Sequence, residues 1–265
     1  MPGQSLNVFN VLSKHLASNG IASLRFDKRG CGKSSGDFKT AGHVDHIADV
    51  TAWIEYLEQC DFCAHNQLFL LGHSEGSIIA PQLSLKHPSI AGIILLSPFV
   101  QNMESILRQQ AARIKEAVNK LDGFIGRFYR FIFYLTGDPV KSQNQIIEKI
   151  KVSTTPTIRY KFRTLEAKWL RELLRLEPSE IFRQVICPVL LIGGEKDVQC
   201  NPADVEQISK LLLGDVEKHV VPNLTHILRF DTGSHTIFRY KELIKNPVEE
   251  CVLDMISNWL RKRTG

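Results

Sequence analysis

The stretch from Leu68 to about Lys86 constrains this chain most. Leu68-Phe69-Leu70-Leu71 is a continuous apolar run, the pattern of a strand covered on both faces. It leads straight into Gly72-His73-Ser74-Glu75-Gly76, and a helix-forming stretch follows. A G-x-S-x-G pentapeptide alone arises by chance. Between a buried strand and a helix it describes a tight turn that lifts one serine hydroxyl above the end of a sheet. Flanking glycines let the two backbones pass closely, and the helix aims N–H groups and its positive dipole end at the space before the serine.

The same punctuation recurs along the chain. Ile93-Ile94-Leu95-Leu96 reads as a second buried strand. Val189-Leu190-Leu191-Ile192 reads as a third, entered through Cys187-Pro188 and left through Gly193-Gly194, and His219-Val220-Val221 as a short last one. Upstream, a helix is expected over 5–20, with Ser5 as its N-cap and Phe9, Leu12 and Leu16 on one face. A strand is expected over 21–27. Ile47, Val50, Ile54 and Leu57 mark another amphipathic helix, and Val252, Met255, Ile256 and Trp259 a closing one. Strands alternating with helices predict an α/β fold with a mostly parallel sheet and helices on both faces. Between Pro98 and Ile186 the pattern becomes helical over 103–118, 124–134, 143–152 and 160–176, with no convincing strand. Residues 1–100 and 186–265 therefore read as one discontinuous core, and 101–185 as a helical insertion.

Composition narrows the classes. With 265 residues, 43% hydrophobic and 23% charged, the chain can bury one large core without staples. Six cysteines are too sparse for a disulfide scaffold and fit a reduced, cytoplasmic setting. No run approaches the roughly 18 apolar residues of a spanning helix, and the first twenty residues lack a signal-peptide pattern. The net charge of +5 is uneven: residues 101–185 hold 16 Lys+Arg against 9 Asp+Glu, the remainder 17 against 19. That surplus is either a set of solvated helix faces or a surface attracting an anionic substrate or a membrane headgroup. The aromatic interleaving of a nucleic-acid binder is absent from the sequence.

A serine hydroxyl is a weak nucleophile and needs a base that an acid orients. Asp197 follows the strand ending at Ile192, and His226 follows the last short strand, both in loops at carboxyl ends of strands. Glu195 is the rival acid; His219 and His235 are rival bases. The Glu75 N–H, one residue past Ser74, is placed to donate to an oxyanion. Two other patterns have blander readings. Gly32-Lys33-Ser34 looks like the end of a phosphate loop, but Asp27 stands where that loop needs a glycine. The segment then reads as an ordered turn. Cys60-x-x-Cys63 with His65, and His43, Asp45 and His46, lack a second ligand pair for a metal and read as helix-end and helix-start polar residues. Trp169, Leu170, Leu173 and Leu174 form a packing stripe.

Together these residues resemble the α/β-hydrolase superfamily, in its capped esterase and serine-aminopeptidase-like branch. Asp27-Lys28-Arg29-Gly30-Cys31-Gly32-Lys33-Ser34 matches the family's D-x-R-G-x-G-x-S turn, Gly72–Gly76 its nucleophile turn, and Asp197 and His226 its acid and base. The segment 101–185 falls where members insert a helical cap. The resemblance implies a serine hydrolase cleaving carboxylic esters through an acyl-enzyme, without metal or organic cofactor, on a small-molecule acyl substrate. A thioesterase, which a basic cap would suit, an aminopeptidase, and a non-catalytic binding module remain alternatives. A nucleotide-dependent enzyme on 27–34 is a further reading, tested by ATP or GTP binding. The family has three strands before the point where this sequence begins, one of them central, and the loop after it supplies a second oxyanion donor. The chain is thus expected to be an N-terminally shortened version of a longer enzyme.

Overall fold

The computed structural model describes residues 6–61, 63–64, 67–233 and 236–264. Its main sheet has four parallel strands: β1 (Leu68–His73), β2 (Ile90–Leu96), β5 (Val189–Gly194) and β6 (Val216–Val221), in the spatial order β1-β2-β5-β6. A separate antiparallel pair joins β3 (Thr157–Tyr160) to β4 (Arg163–Glu166). The helices are α1 (Val8–Ser18), α2 (His43–Glu58), α3 (Gly76–Ser84), α4 (Met103–Lys120), α5 (Gly123–Thr136), α6 (Pro139–Val152), α7 (Ala167–Leu173), α8 (Pro178–Phe182), α9 (Ala203–Leu211), α10 (Thr236–Leu243) and α11 (Glu250–Thr264). The described residues divide into two units. Those of Met1–Phe26, Val50–Val100 and Pro178–Gly265 form the first; Asp27–Asp49 and Gln101–Glu177 form the second.

In the first unit the central strands are apolar on both faces, because helices cover both. Ile94, Leu96, Leu190 and Ile192 pack with Val8, Leu12 and Leu16 of α1 and Val252, Ile256, Trp259 and Leu260 of α11. Their alternate neighbours Ile93, Leu95 and Leu191 are equally buried on the opposite face. Burying each such side chain contributes about 1.5–3 kcal/mol. Trp259 lies edge-on to Phe69 at 5.7 Å, and a Cβ on Gly92 would come within 2.9 Å of its ring. The glycine in β2 makes room for the indole. In the second unit Ile150, Ile158, Ala167 and Leu170 form a smaller core, against which Trp169 and Leu174 of the packing stripe lie.

Three expectations are corrected here. Residues 21–27 form no strand: 22–28 are exposed and make no ladder, and Arg25 and Phe26 are held instead by side chains, Asn10 at 2.7 Å and the Trp53 ring at 5.9 Å. A strand exists only as a ladder, and this segment has no neighbour in one. β1 is an edge strand among the described residues, so Leu68–Leu71 are half-buried rather than covered on both faces. The segment 160–176 is not one helix. Thr157–Tyr160 and Arg163–Glu166 pair across a two-residue turn in which Lys161 takes φ 53°, and helix begins only at Ala167. The alternation in Thr-Ile-Arg-Tyr is a strand signal too short to outweigh the helical residues around it. Other boundaries move slightly: β6 starts three residues earlier than His219, and α1 starts after Asn7, whose side chain makes no capping bond to the helix, Ser5 lying outside the described residues. Among the described residues no helix is long and apolar enough to cross a membrane.

Candidate active site

β1 delivers the chain into the serine turn at its carboxyl end. A Cβ on Gly72 would lie 2.0 Å from the Gly76 carbonyl oxygen, so only glycine lets the strand pass the start of α3. Gly76 differs: its would-be Cβ meets open space, so the second glycine is not sterically required. Ser74 takes φ 55°, a left-handed conformation unusual for a residue with a side chain. Its N–H donates to the Leu96 carbonyl at 3.0 Å and its carbonyl accepts from Ser77 N–H at 2.8 Å, fixing the turn on both sides. Glu75 is the first residue outside α3, at the N-terminal end of that helix. Three more non-glycine residues with positive φ, Ser97, Asn223 and Leu228, lie in loops after β2 and β6. Strain is thus concentrated where the strands end, as at functional sites.

The loops after β5 and β6 are locked together by backbone. Glu195 N–H donates to the Val221 carbonyl at 3.0 Å and Lys196 N–H to the Leu224 carbonyl at 2.9 Å. A Cβ on Gly194 would meet that Leu224 carbonyl at 2.3 Å. The rival acid Glu195 is occupied structurally, accepting from Asn223 N–H at 3.0 Å. Asp197 instead faces the imidazole: His226 Nδ1 donates to its Oδ2 at 2.8 Å, with both side chains buried. Asp197 Oδ1 accepts from the N–H groups of Gln199 at 2.8 Å and Cys200 at 2.9 Å. Burial pushes the Asp197 carboxyl up, but His226 and these two N–H groups outweigh it, so the group sits below the ordinary aspartate range. With Nδ1 committed to the carboxylate, Nε2 is the ring nitrogen left to accept a proton. Of the rival bases, His219 pairs with Glu217 of its own strand at 3.1 Å, and His235 lies outside the described residues.

Two neighbours of this pair carried no sequence signal. His73 donates from Nε2 to the His226 carbonyl at 2.8 Å, its ring 4.8 Å from the His226 ring. Tyr240 of α10 packs with Ile227 and Val198, and burial together with the Asp197 charge pushes its phenol far up. In sequence it is one more apolar position of an amphipathic helix. As for metals, Asp197, Cys200 and His226 present ligand atoms within 4.8 Å of one another, the group among the described residues able to hold one.

The other flagged patterns resolve as structure. In the second unit Asp27 Oδ2 accepts from Lys33 N–H at 3.0 Å and its carbonyl from the Ser34 hydroxyl at 2.7 Å, an ordered turn. Arg29 grips Asp49 through Nε at 2.8 Å and Nη2 at 2.5 Å, and Lys168 pairs with Asp45 at 2.6 Å. His43 and His46 are buried rather than solvated, His46 stacking on Phe38. His65 of the cysteine cluster lies outside the described residues.

Comparison with known proteins gives a consistent picture. The family model described as "Serine aminopeptidase, S33" matches residues 3–233. Esterase EstD of Thermotoga maritima is 23% identical over 257 residues, covering 96% of this chain and 57% of EstD, so the chain spans little more than half of that relative's length. Est1E from Butyrivibrio proteoclasticus, solved with ferulic acid bound, superposes with a TM-score of 0.61 at 18% identity, over 96% of this chain and 82% of that one. A structure reported for the metagenome-derived lipolytic enzymes LipS and LipT gives 0.60 at 17% identity, over 98% and 89%. The fold these share is the α/β-hydrolase fold.

Proposed function

We propose, for a chain that belongs to the serine aminopeptidase (S33) family of α/β-hydrolases, that it is a serine hydrolase of carboxylic esters working through an acyl-enzyme. The observation that carries this reading is the buried Asp197–His226 pair at 2.8 Å, at the same end of the sheet as the strained Ser74 turn. His226 Nε2 takes the Ser74 proton as Oγ attacks the ester carbonyl carbon. The oxyanion of the tetrahedral intermediate is stabilised by the Glu75 N–H at the N-terminus of α3. Collapse breaks the carbon–oxygen bond to the alcohol, which leaves with the proton from His226. Water then attacks the acyl-enzyme, giving its proton to His226 and releasing the acid and Ser74. Asp197 holds the ring in the tautomer that leaves Nε2 basic.

Ester chemistry is favoured by the relatives: one is called an esterase, one is solved with ferulic acid bound, and one structure is reported for lipolytic enzymes. The positive surplus of the 101–185 insertion suits an anionic acyl group. The sparse, unscaffolded cysteines support a cytoplasmic setting. Fluorophosphonate labelling read by intact mass tests the reading. A single adduct on the wild type, absent from Ser74→Ala, is expected. An adduct that persists in Ser74→Ala moves the nucleophile elsewhere, and none on the wild type favours a non-catalytic role.

A further inference from the structure

We propose that α5 and the tip of the β3–β4 hairpin form a docking face for an anionic lipid surface. The proposal is independent of the catalytic reading. The sequence of α5, Gly-Phe-Ile-Gly-Arg-Phe-Tyr-Arg-Phe-Ile-Phe-Tyr-Leu-Thr, is apolar nearly all round and contains no acidic residue. A helix of that kind is normally covered on every side. This one is covered on one side only. Gly126 is buried, a Cβ there meeting the Leu121 carbonyl oxygen at 2.0 Å, and Tyr129, Ile132 and Phe133 are half-buried. The opposite strip, Phe124, Phe128, Phe131 and Leu135, follows the i, i+4, i+7, i+11 spacing of a single helical face, and all four are exposed. Tyr134 beside it is 84% exposed.

A second element adds to this strip. Phe162, at the two-residue hairpin turn, is fully exposed, and the preceding Lys161 donates from Nζ to the Thr136 carbonyl at the end of α5. The hairpin tip is therefore tied to the carboxyl end of the aromatic helix. The charge around both is mostly positive: Arg127 and Arg130 on α5, and Arg159, Lys161 and Arg163 on the hairpin, are exposed, against the exposed Asp122 just before α5. The segment 101–185 that contains them has the chain's positive surplus. Exposed Phe and Leu beside Arg and Lys is the composition of a helix lying in a bilayer interface. Fourteen residues reach only about 21 Å, short of the roughly 30 Å hydrocarbon layer, so α5 would lie in the surface and not cross it. A second copy of the chain is a poorer occupant, since pairing this face with itself would oppose like charges. An anionic leaflet complements it.

Flotation of the intact chain with vesicles tests this, using phosphatidylcholine alone and phosphatidylcholine with about one third phosphatidylserine. The wild type should float with the anionic vesicles, less with the neutral ones, and less again as salt is raised. Phe131→Ser combined with Phe162→Ser should lower the bound fraction by about tenfold or more, with an unchanged circular dichroism spectrum because both side chains face solvent. Ile186→Ser, an exposed apolar residue of the other unit, should float like the wild type. No flotation of the wild type, or equal flotation of the double variant, overturns the proposal. So does a concentration-dependent dimer that the double variant abolishes without any vesicle binding.

Discussion

Two charged contacts, one in each unit, differ in how much water reaches them. Asp197 and His226 meet at 2.8 Å with their side chains 2% and 7% exposed. Arg29 and Asp49 meet at 2.5 Å with theirs 33% and 27% exposed. The geometry is similar, but the surroundings are not. Water screens the second pair and lowers the cost of holding the charges, so its worth is that of a tie between the 27–36 turn and α2. The first pair has lost its water, and its carboxylate persists only because His226 and two backbone N–H groups replace that solvation. A fold rarely keeps such a costly arrangement for stability alone. In the second pair the Asp49 hydrogen bond raises the Arg29 pKa, and beside it Lys168 with the Gly42 N–H lowers that of Asp45.

The comparison can be broken at its stronger end first. Asp197→Asn should lower ester turnover by about 10⁴-fold, because an amide no longer holds the imidazole in the working tautomer; steady-state kinetics that retain a tenth of the activity would remove the pair from the mechanism. The same carboxyl has a depressed pKa in the fold. Its stabilisation is therefore present above the unfolded aspartate value of about 4 and lost as pH falls through the lower folded value. Urea midpoints should fall with acid below about pH 4 in the wild type and less steeply in Asp197→Asn.

Next in size is the turn itself. Gly72→Ala should cost about 3 kcal/mol in urea denaturation, since its Cβ would press on backbone that cannot give way. A wild-type midpoint in that variant would mean that the strand and α3 separate easily. Arg29→Ala comes third, at about 1 kcal/mol or less; a loss above about 2 kcal/mol would show that partial exposure does not discount this pair. Smallest is Gly76→Ala, within about 0.5 kcal/mol of the wild type, because nothing occupies the space its Cβ enters.

How much was legible in the sequence follows from the range of each interaction. The turn at Gly72–Gly76 and the strands at 93–96 and 189–192 carry their signal within a few residues, so spacing revealed them, although the two strands are held by pairing with each other across the chain. The hairpin at 157–166 was hidden because four-residue strands carry almost no periodicity. The expected strand over 21–27 had good local composition, but a strand needs a neighbour, and no local signal states whether one is there.

The site divides in the same way. The sequence by itself determined the candidates: a serine between glycines after an apolar strand, and acids and histidines in loops that follow later strands. It favoured Asp197 over Glu195 as the acid from its later place in the loop, without showing what either side chain meets. Those meetings are contacts across 28 and 29 residues: the Glu195 carboxylate accepts from Asn223 N–H, and that of Asp197 accepts from His226. It also concealed the outward face of α5, because hydrophobic residues at helical spacing look alike whether a neighbour covers them or not. Only tertiary structure decides such questions: local propensity is set by a residue and its chain neighbours, whereas burial and partnership are set by whatever the rest of the chain brings alongside.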